Sequence, residues 1–271
     1  MERVGLWTNH SKPESQALAL QLTHWFRSQG WEVLCEWEEI KNQGVEFLIS
    51  LGGDGTLLEA AREAAPYKIP VLGVNLGRLG FLCEIERAEV YVALRRVLNK
   101  EYSVQERLML EALIKRTDKT ELKYTVLNDV VFHRQKEDTM VTLQANLSGE
   151  PSVSYPSDGL IISTPTGSTA YALSAGGPII SPDVRAILLT PLAAHSLSAR
   201  PMVVSDRELV EILLARGKEC QITFDGRDNL TLRSGEMVQI KTAPLKALLI
   251  RLGRRSFPSV VREKLRDRWH E

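Results

Sequence analysis

Apolar strand-like runs and amphipathic helix-like runs take turns along the first hundred residues. That alternation constrains the fold of this chain more than any other feature. RVGLWTN (3–9) reads as a buried strand. Ser11 and Glu14 then have capping-box spacing. Leu18, Leu22, Trp25, Phe26 and Gln29 keep a helical period until Gly30 supplies a stop. WEVLCEW (31–37) reads as a second strand, and VEFLISLG (45–52) as a third. The third is nearly continuous in apolar residues, which suits a parallel strand covered on both faces. DGTLLEAAREAA (54–65) is helical, IPVLGVN (69–75) returns to strand, and ERAEVYVALRRVLNK (86–100) is an amphipathic helix. Such a series predicts an α/β domain with a parallel sheet.

From about residue 101 the pattern changes. VQERLMLEALIKR, KYTVLNDVVFHR, MVTLQANLSG, DGLIISTPT, AILLTPLA, PMVVSD, LVEILLA, CQITFD, MVQIKTA and ALLIRL are short and rich in Val, Ile, Leu and Thr. Turn chemistry separates them, which predicts an all-β sandwich or a similar sheet-rich domain. One short helix interrupts the series at STAYALSAG (168–176), and FPSVVREKLRDRW (257–269) closes the chain as a helix. The expected division is an α/β domain over 1–100, a sandwich over 101–250 and a tail over 251–271.

Composition removes several function classes. The 34 basic and 34 acidic residues cancel, whereas a nucleic-acid partner usually leaves a basic excess. No nucleic-acid partner is expected. Cys35, Cys83 and Cys220 are odd in number and far apart, which fits a reduced cytosol and buried apolar roles. No two of His10, His24, His133, His195 and His270 share a metal-ligand spacing, which argues against a structural zinc site. The first residues lack a signal-peptide core, and no apolar run approaches the ~20 residues of a membrane span. A cytoplasmic protein without a membrane partner is expected.

LGGDGTLLEA (51–60) carries the chemistry. Gly52 and Gly53 end a buried strand, and Asp54 and Gly55 open a helix. Glycines at the carboxyl end of a parallel strand let a backbone approach phosphate closely, and the N–H groups of the next helix attract anions. Asp54 is a poor phosphate ligand because its charge repels an anion. It suits a base or orienter for an attacking hydroxyl, a metal-bridged group, or simply a helix cap. The loop is neither G-x-x-x-x-G-K-[ST] nor G-x-G-x-x-G.

Three further stretches stand out. NLGRLGF (75–81) also follows a strand. VLNDVVFHR (126–134) sets Asn128 and Asp129 in a strand-like run, where such residues are depleted and mark a bulge, a turn or a ligand contact. YPSDGLIISTPTGSTAYALSAGGP (155–178) combines Asp158 with hydroxyls at Ser163, Thr164, Thr166, Ser168 and Thr169 ahead of Tyr171. Those groups suit a hydrogen-bonding ligand such as a ribose or base, or a Ser/Thr-capped helix with a Gly-Gly-Pro stop.

Together GGDGTLL (52–58), NLGRLGF, LNDVV (127–131), DGLIISTPTGSTAYALSAGGPII (158–180) and LTPLAAHSLSARPMVV (189–204) resemble the NAD kinase family. The resemblance covers most of the chain in the same order. It implies a Rossmann-like parallel α/β N-terminal domain, a C-terminal β-sandwich domain and an active site in the cleft between them. It implies phosphoryl transfer from ATP or polyphosphate, with Mg²⁺ or another divalent cation, to the adenosine 2′-hydroxyl of NAD, giving NADP. It implies Asp54 as the proton acceptor and Gly52, Gly53 and Gly55 as the phosphate loop, with no dedicated protein metal site. Asn128, Asp129 and Asp158, with the turn Thr169, Ala170, Tyr171, Ala172, Leu173 and Ser174, are implied as dinucleotide contacts. Thr166 and Phe81 are implied as walls, His195 as a structural or interface residue, and a homodimer or homotetramer as the assembly.

The chain departs from the family pattern at three places. Asp129 stands where Glu is usual, Pro156 where a basic residue often sits, and Arg227 in FDGR where Gln is usual. Arg227 adds a positive group able to meet a ligand phosphate. Two other readings share the motifs. A lipid or sugar kinase on the same scaffold would need an apolar groove or basic amphipathic helix, and a non-catalytic dinucleotide sensor would have no need of Asp54.

Overall fold

The computed structural model describes residues 1–9, 11–77, 80–135, 141–194, 196 and 199–265. The chain forms two compact units. Unit 1 holds Met1–Glu106 with Ala247–Glu271, and unit 2 holds Arg107–Lys246. The sequence reading draws its boundaries at 100 and 250 and does not return the last segment to the first unit.

Unit 1 begins β1 (Arg3–Thr8), α1 (Pro13–Ser28), β2 (Glu32–Leu34), α2 (Trp37–Gln43), β3 (Phe47–Gly52) and α3 (Asp54–Ala64). It continues with β4 (Val71–Asn75), β5 (Ile85–Glu86) and α4 (Val90–Leu98). The strands run parallel in the order β2–β1–β3–β4, and β5 lies beside the end of β4. The chain leaves β1 in one direction for β2 and returns on its other side for β3. The switch point therefore lies between the carboxyl ends of β1 and β3, where ligands gather in open α/β sheets.

Local chemistry explains the element ends. Helix α1 starts at Pro13 with Lys12 as its cap residue and no side-chain cap. The expected capping box is absent because Ser11 bonds to Asn9 Oδ1 instead. At the other end Gly30 adopts φ +81°. Its N–H reaches Arg27 O and that of Trp31 reaches Phe26 O, the paired bonds of a Schellman stop. The expected strand over 31–37 is a three-residue strand, and Trp37 opens α2, whose ring packs edge-on against Trp7 at 5.4 Å. Tertiary packing has overridden the β propensity of the aromatic there.

Unit 2 begins within β6 (Ser103–Lys115), whose first four residues belong to unit 1, and continues with β7 (Glu121–Val126), β8 (Asp129–Arg134), β9 (Val141–Leu147), β10 (Glu150–Ser157) and β11 (Gly159–Ser163). After the short helix α5 (Tyr171–Ser174) come β12 (Ala186–Leu192), β13 (Met202–Ser205), β14 (Val210–Arg216), β15 (Glu219–Phe224), β16 (Arg227–Arg233) and β17 (Met237–Arg251). One face of the sandwich carries β10–β9–β14–β17 with β6 and β7, and the other carries β13–β12–β11–β8–β15–β16. Leu110, Val126, Leu143 and Val238 from the first meet Phe132, Leu160, Ile187 and Ile222 from the second in one buried core. Strand β10 is absent from the sequence reading because it contains Pro151 and Pro156. It lies at a sheet edge, where a missing N–H is tolerated.

The last residues of β17 return to unit 1. Leu249 pairs in parallel with Val71, and Ile250 and Leu252 join the core of Leu22, Phe26, Phe47 and Leu72. Helix α6 (Phe257–Lys264) follows, capped by the Ser256 hydroxyl on Ser259 N–H. Ile250→Ala should therefore cost about 2–5 kcal/mol of unit 1 stability in denaturant titration. A cost below about 0.5 kcal/mol would show that the returning strand is not part of that core.

Candidate functional site

The carboxylate that opens α3 does not cap its own helix. Gly53 is the cap residue, and no side chain caps α3. Asp54 turns instead to the segment after β4. Its Oδ2 accepts Phe81 N–H at 2.6 Å, its Oδ1 accepts Cys83 N–H at 3.0 Å, and both share Leu82 N–H at 3.2 Å. The parallel sheet makes this possible, because Gly52 and Asn75 are register partners and their loops leave the sheet side by side. A Cβ on Gly80 would lie 1.9 Å from Asp54 Oδ2, so only glycine permits the approach. GGDG and the end of NLGRLGF thus form one structure, with Arg78 and Leu79 outside the described residues.

Asn9, at the carboxyl end of β1, reaches the same place. Its Nδ2 donates to Thr56 Oγ1 at 3.4 Å. Neighbouring Cys83 is buried, and its thiol pKa is pushed up by that burial and then by the Asp54 carboxylate.

A second carboxylate organises unit 2. Asp225 and Gly226 form the two-residue hairpin between β15 and β16, with φ +49° and +70°. Positive φ at both positions is the type I′ pattern that Asp-Gly favours. The Asp225 Oδ2 accepts Leu127 N–H at 3.0 Å, and its Oδ1 accepts Asn128 and Asp129 N–H at 2.7 and 3.1 Å. Leu127 and Asn128 are the break between β7 and β8 and not strand interior.

The central motif is knitted to that break. Thr164 donates its N–H to Asn128 O at 2.9 Å and its hydroxyl to Leu127 O at 2.6 Å. Ser168 Oγ donates to Pro165 O and accepts Ile180 N–H, and Thr169 Oγ1 donates to Thr166 O. Thr166 Oγ1 accepts from the Arg107 guanidinium at 3.3 Å. Most hydroxyls of the motif therefore fold the turn itself. Ser163 is different: it lies opposite Asp129 in register, and its buried Oγ has no hydrogen-bond partner among the described residues. The buried Asn128 Oδ1 shares that condition.

Asn128, Asp129, Thr166, Thr169, Ala170, Tyr171, Ala172, Leu173 and Ser174 are gathered at one end of β8 and β11. Tyr171 and Ser174 are exposed there, and Ala172 is buried against Val131 and Ile161. Asp158 is not gathered with them. It precedes β11 at the opposite end and forms an ion pair with Arg134 at 3.3 Å. Arg227 is exposed at the start of β16, beside the Asp225 turn. His195 lies outside the described residues. The sequence reading missed Asp225, Asn9 and Thr56. The Asp-Gly pair between two strand-like runs was the available signal for the first.

Asp129 is 4% exposed. Burial and then the charge of Asp225 raise its pKa to about 7, against about 3.9 in an unfolded chain. The folded chain then holds more protons across that window, so this contribution to stability is whole below the unfolded value and lost as pH rises through about 7. Asp129→Asn should remove that slope, its stability relative to wild type growing between about pH 4 and 7. Parallel curves in denaturant titration would exclude a buried ionisable Asp129. Gly80→Ala should cost about 1–3 kcal/mol through overpacking against Asp54, read the same way; an unchanged midpoint would mean that the segment has room to move.

Comparison with known proteins gives the same arrangement a lineage. The ATP-NAD kinase N-terminal domain matches residues 7–102, and the ATP-NAD kinase C-terminal domain matches residues 127–252. The chain is 41% identical to the NAD kinase of Moorella thermoacetica, covering 98% of this chain and 90% of that protein. It is 39% identical to the NAD kinase of Heliobacterium modesticaldum, covering 98% and 99%. Yeast NADH kinase, solved in complex with NADH, shares the fold with a TM-score of 0.86 at 24% identity, covering 97% of this chain and 86% of that one. An NAD kinase from Archaeoglobus fulgidus, solved in complex with ATP, has a TM-score of 0.77 at 24% identity, covering 96% and 98%. Both halves of the chain, and nearly its whole length at well over 30% identity, place it in the ATP-NAD kinase family.

Proposed function

We propose that the chain transfers the γ-phosphoryl group of ATP to the adenosine 2′-hydroxyl of NAD, giving NADP. The observation that carries this reading is the pairing of motifs. The GGDG loop and residues 80–83 share one carboxylate, and LNDVV is bonded to the 163–174 turn. Family membership adds the reaction class, and the fold relatives bound to NADH and to ATP support both ligand types.

In this reading the dinucleotide meets Asn128, Asp129, Thr166 and the turn Thr169–Ser174. Asn128 Oδ1, a buried acceptor with no partner among the described residues, suits an amine or hydroxyl of the adenosine. Phe81 forms a wall beside Asp54. Among the described residues Gly53 and Gly55 have no atom closer than 4.0 Å to an added Cβ, which suits a phosphate against the start of α3. Arg227, at the Asp129 end of its sheet, is assigned to a ligand phosphate, and Asp158, at the opposite end of β11, to another part of the bound ligand.

Three amide donors hold the Asp54 carboxylate in one orientation. That suits an acceptor which aligns the 2′-hydroxyl for in-line attack on the γ-phosphorus. ATP enters as its complex with Mg²⁺ or another divalent cation. The cation comes with the nucleotide and belongs to the substrate. We place the enzyme in the cytoplasm as a homodimer or homotetramer, which a mass measurement in solution checks. No helix among the described residues is long and apolar enough to cross a membrane.

An NADP-specific coupled assay with ATP or polyphosphate, Mg²⁺ and NAD tests the reaction. Asp54→Asn should lower kcat by about 10²–10⁴-fold while calorimetry shows NAD binding retained. Wild-type turnover in that variant would remove Asp54 from the chemistry. Absence of both turnover and NAD binding in wild type would assign the scaffold to another substrate.

A further inference from the structure

What holds Asp54 is itself held from the far end of the sequence. Arg251, near the end of β17, donates its Nη1 to Leu82 O at 2.8 Å and its Nε to Gln105 Oε1 at 3.0 Å. Leu82 is therefore bonded twice through its own backbone: its N–H donates to Asp54 and its C=O accepts from Arg251. Two residues on, the buried Glu84 accepts Leu252 N–H at 3.0 Å and Arg254 N–H at 2.8 Å. Residues 81–84 are thus pinned on one side by the Asp54 carboxylate and on the other by residues 251–254. All of these groups belong to unit 1.

The guanidinium is matched to this task. It offers two N–H groups in fixed directions to two different acceptors, which an ammonium does not do with the same geometry. Burial lowers its pKa, and the nearby Glu84, Cys83 and Asp54 act against that. Helix α3 carries no side-chain cap, so the amides of 81–83 are the described contacts that set the direction of the Asp54 carboxylate.

We infer that Arg251 is a positioning residue for phosphoryl transfer: through Leu82 it fixes the amide cradle that aims Asp54. The returning strand thereby does more than fill the core of unit 1. The inference rests on the proposed role of Asp54, but the cradle can be read without turnover.

The test uses the full chain with Arg251→Met, which keeps much of the apolar stem, and Arg251→Lys, which keeps the charge. Leu22→Ala, in the unit 1 core on α1, serves as a control for lost stability. Arg251→Met should lower kcat by about 10–100-fold, the cost of a misplacement near 1 Å, with KM for NAD within about twofold. Amide hydrogen exchange of residues 81–83 should accelerate by about tenfold or more, as expected of a locally opened segment. Arg251→Lys should recover part of both losses, and it carries the comparison if Arg251→Met does not fold. Leu22→Ala should lose stability but keep kcat per folded molecule and the protection of 81–83. Unchanged kcat in Arg251→Met, wild-type protection of 81–83, or an equal loss of kcat in Leu22→Ala would overturn the inference. If wild type forms no NADP, the kinase reading falls, while exchange at 81–83 still decides whether Arg251 holds the cradle.

Discussion

Three consecutive backbone N–H groups, those of Phe81, Leu82 and Cys83, converge on one carboxylate, and the glycine-rich loops of unit 1 depend on that contact to form a single surface. Loop amides have no ladder to join, and a buried donor without an acceptor costs about 1–3 kcal/mol. An ionised carboxylate satisfies several at once, through charge-assisted bonds stronger than neutral ones. Asp54 therefore answers two needs. It completes the hydrogen bonding of a segment that glycine allows to come close, and it fixes a negative charge at the start of a helix whose dipole favours it.

The same device appears in unit 2 with a different backbone. Asp225 sits in a tight hairpin, and its side chain collects the N–H groups of Leu127, Asn128 and Asp129. The bonds stop β7 and start β8, and they bring the Asn128 and Asp129 side chains to the end of β11 where the 163–174 turn begins. The arrangement sets two carboxyl groups near each other at a buried place, which is why Asp129 holds its proton up to about 7. In both units the carboxylate of an Asp-Gly pair anchors a distant segment.

Much of the architecture was legible. Strands β1, β3 and β4 and helices α1, α3 and α4 follow hydrophobic period and glycine stops, because each buries a face that its own residues define. The exceptions share a cause. Trp37 left its strand for α2 because aromatic packing outweighed local preference, and β10 hid behind two prolines that only an edge position tolerates. Within the candidate site the motif residues were legible by resemblance, but their partners were not. Asp225 stands in the sequence reading only as the end of a strand-like run and part of FDGR, Arg251 as one more residue of an apolar run, and the hydroxyls of Thr164 and Ser168 as suited to a ligand when they close their own turn.

The sequence by itself determined the two classes of unit, the family, and the residues that carry its motifs. Those properties reside in local period and in residue identity at short spacing, which a linear reading contains. The tertiary structure decided which carboxylate serves which amides, which hydroxyls are spent on the turn, and that residues 247–265 return to the first unit. Such pairings join positions from about 30 to about 170 residues apart. They depend on strand register and on distances of a few tenths of an ångström, and no spacing along the chain encodes either.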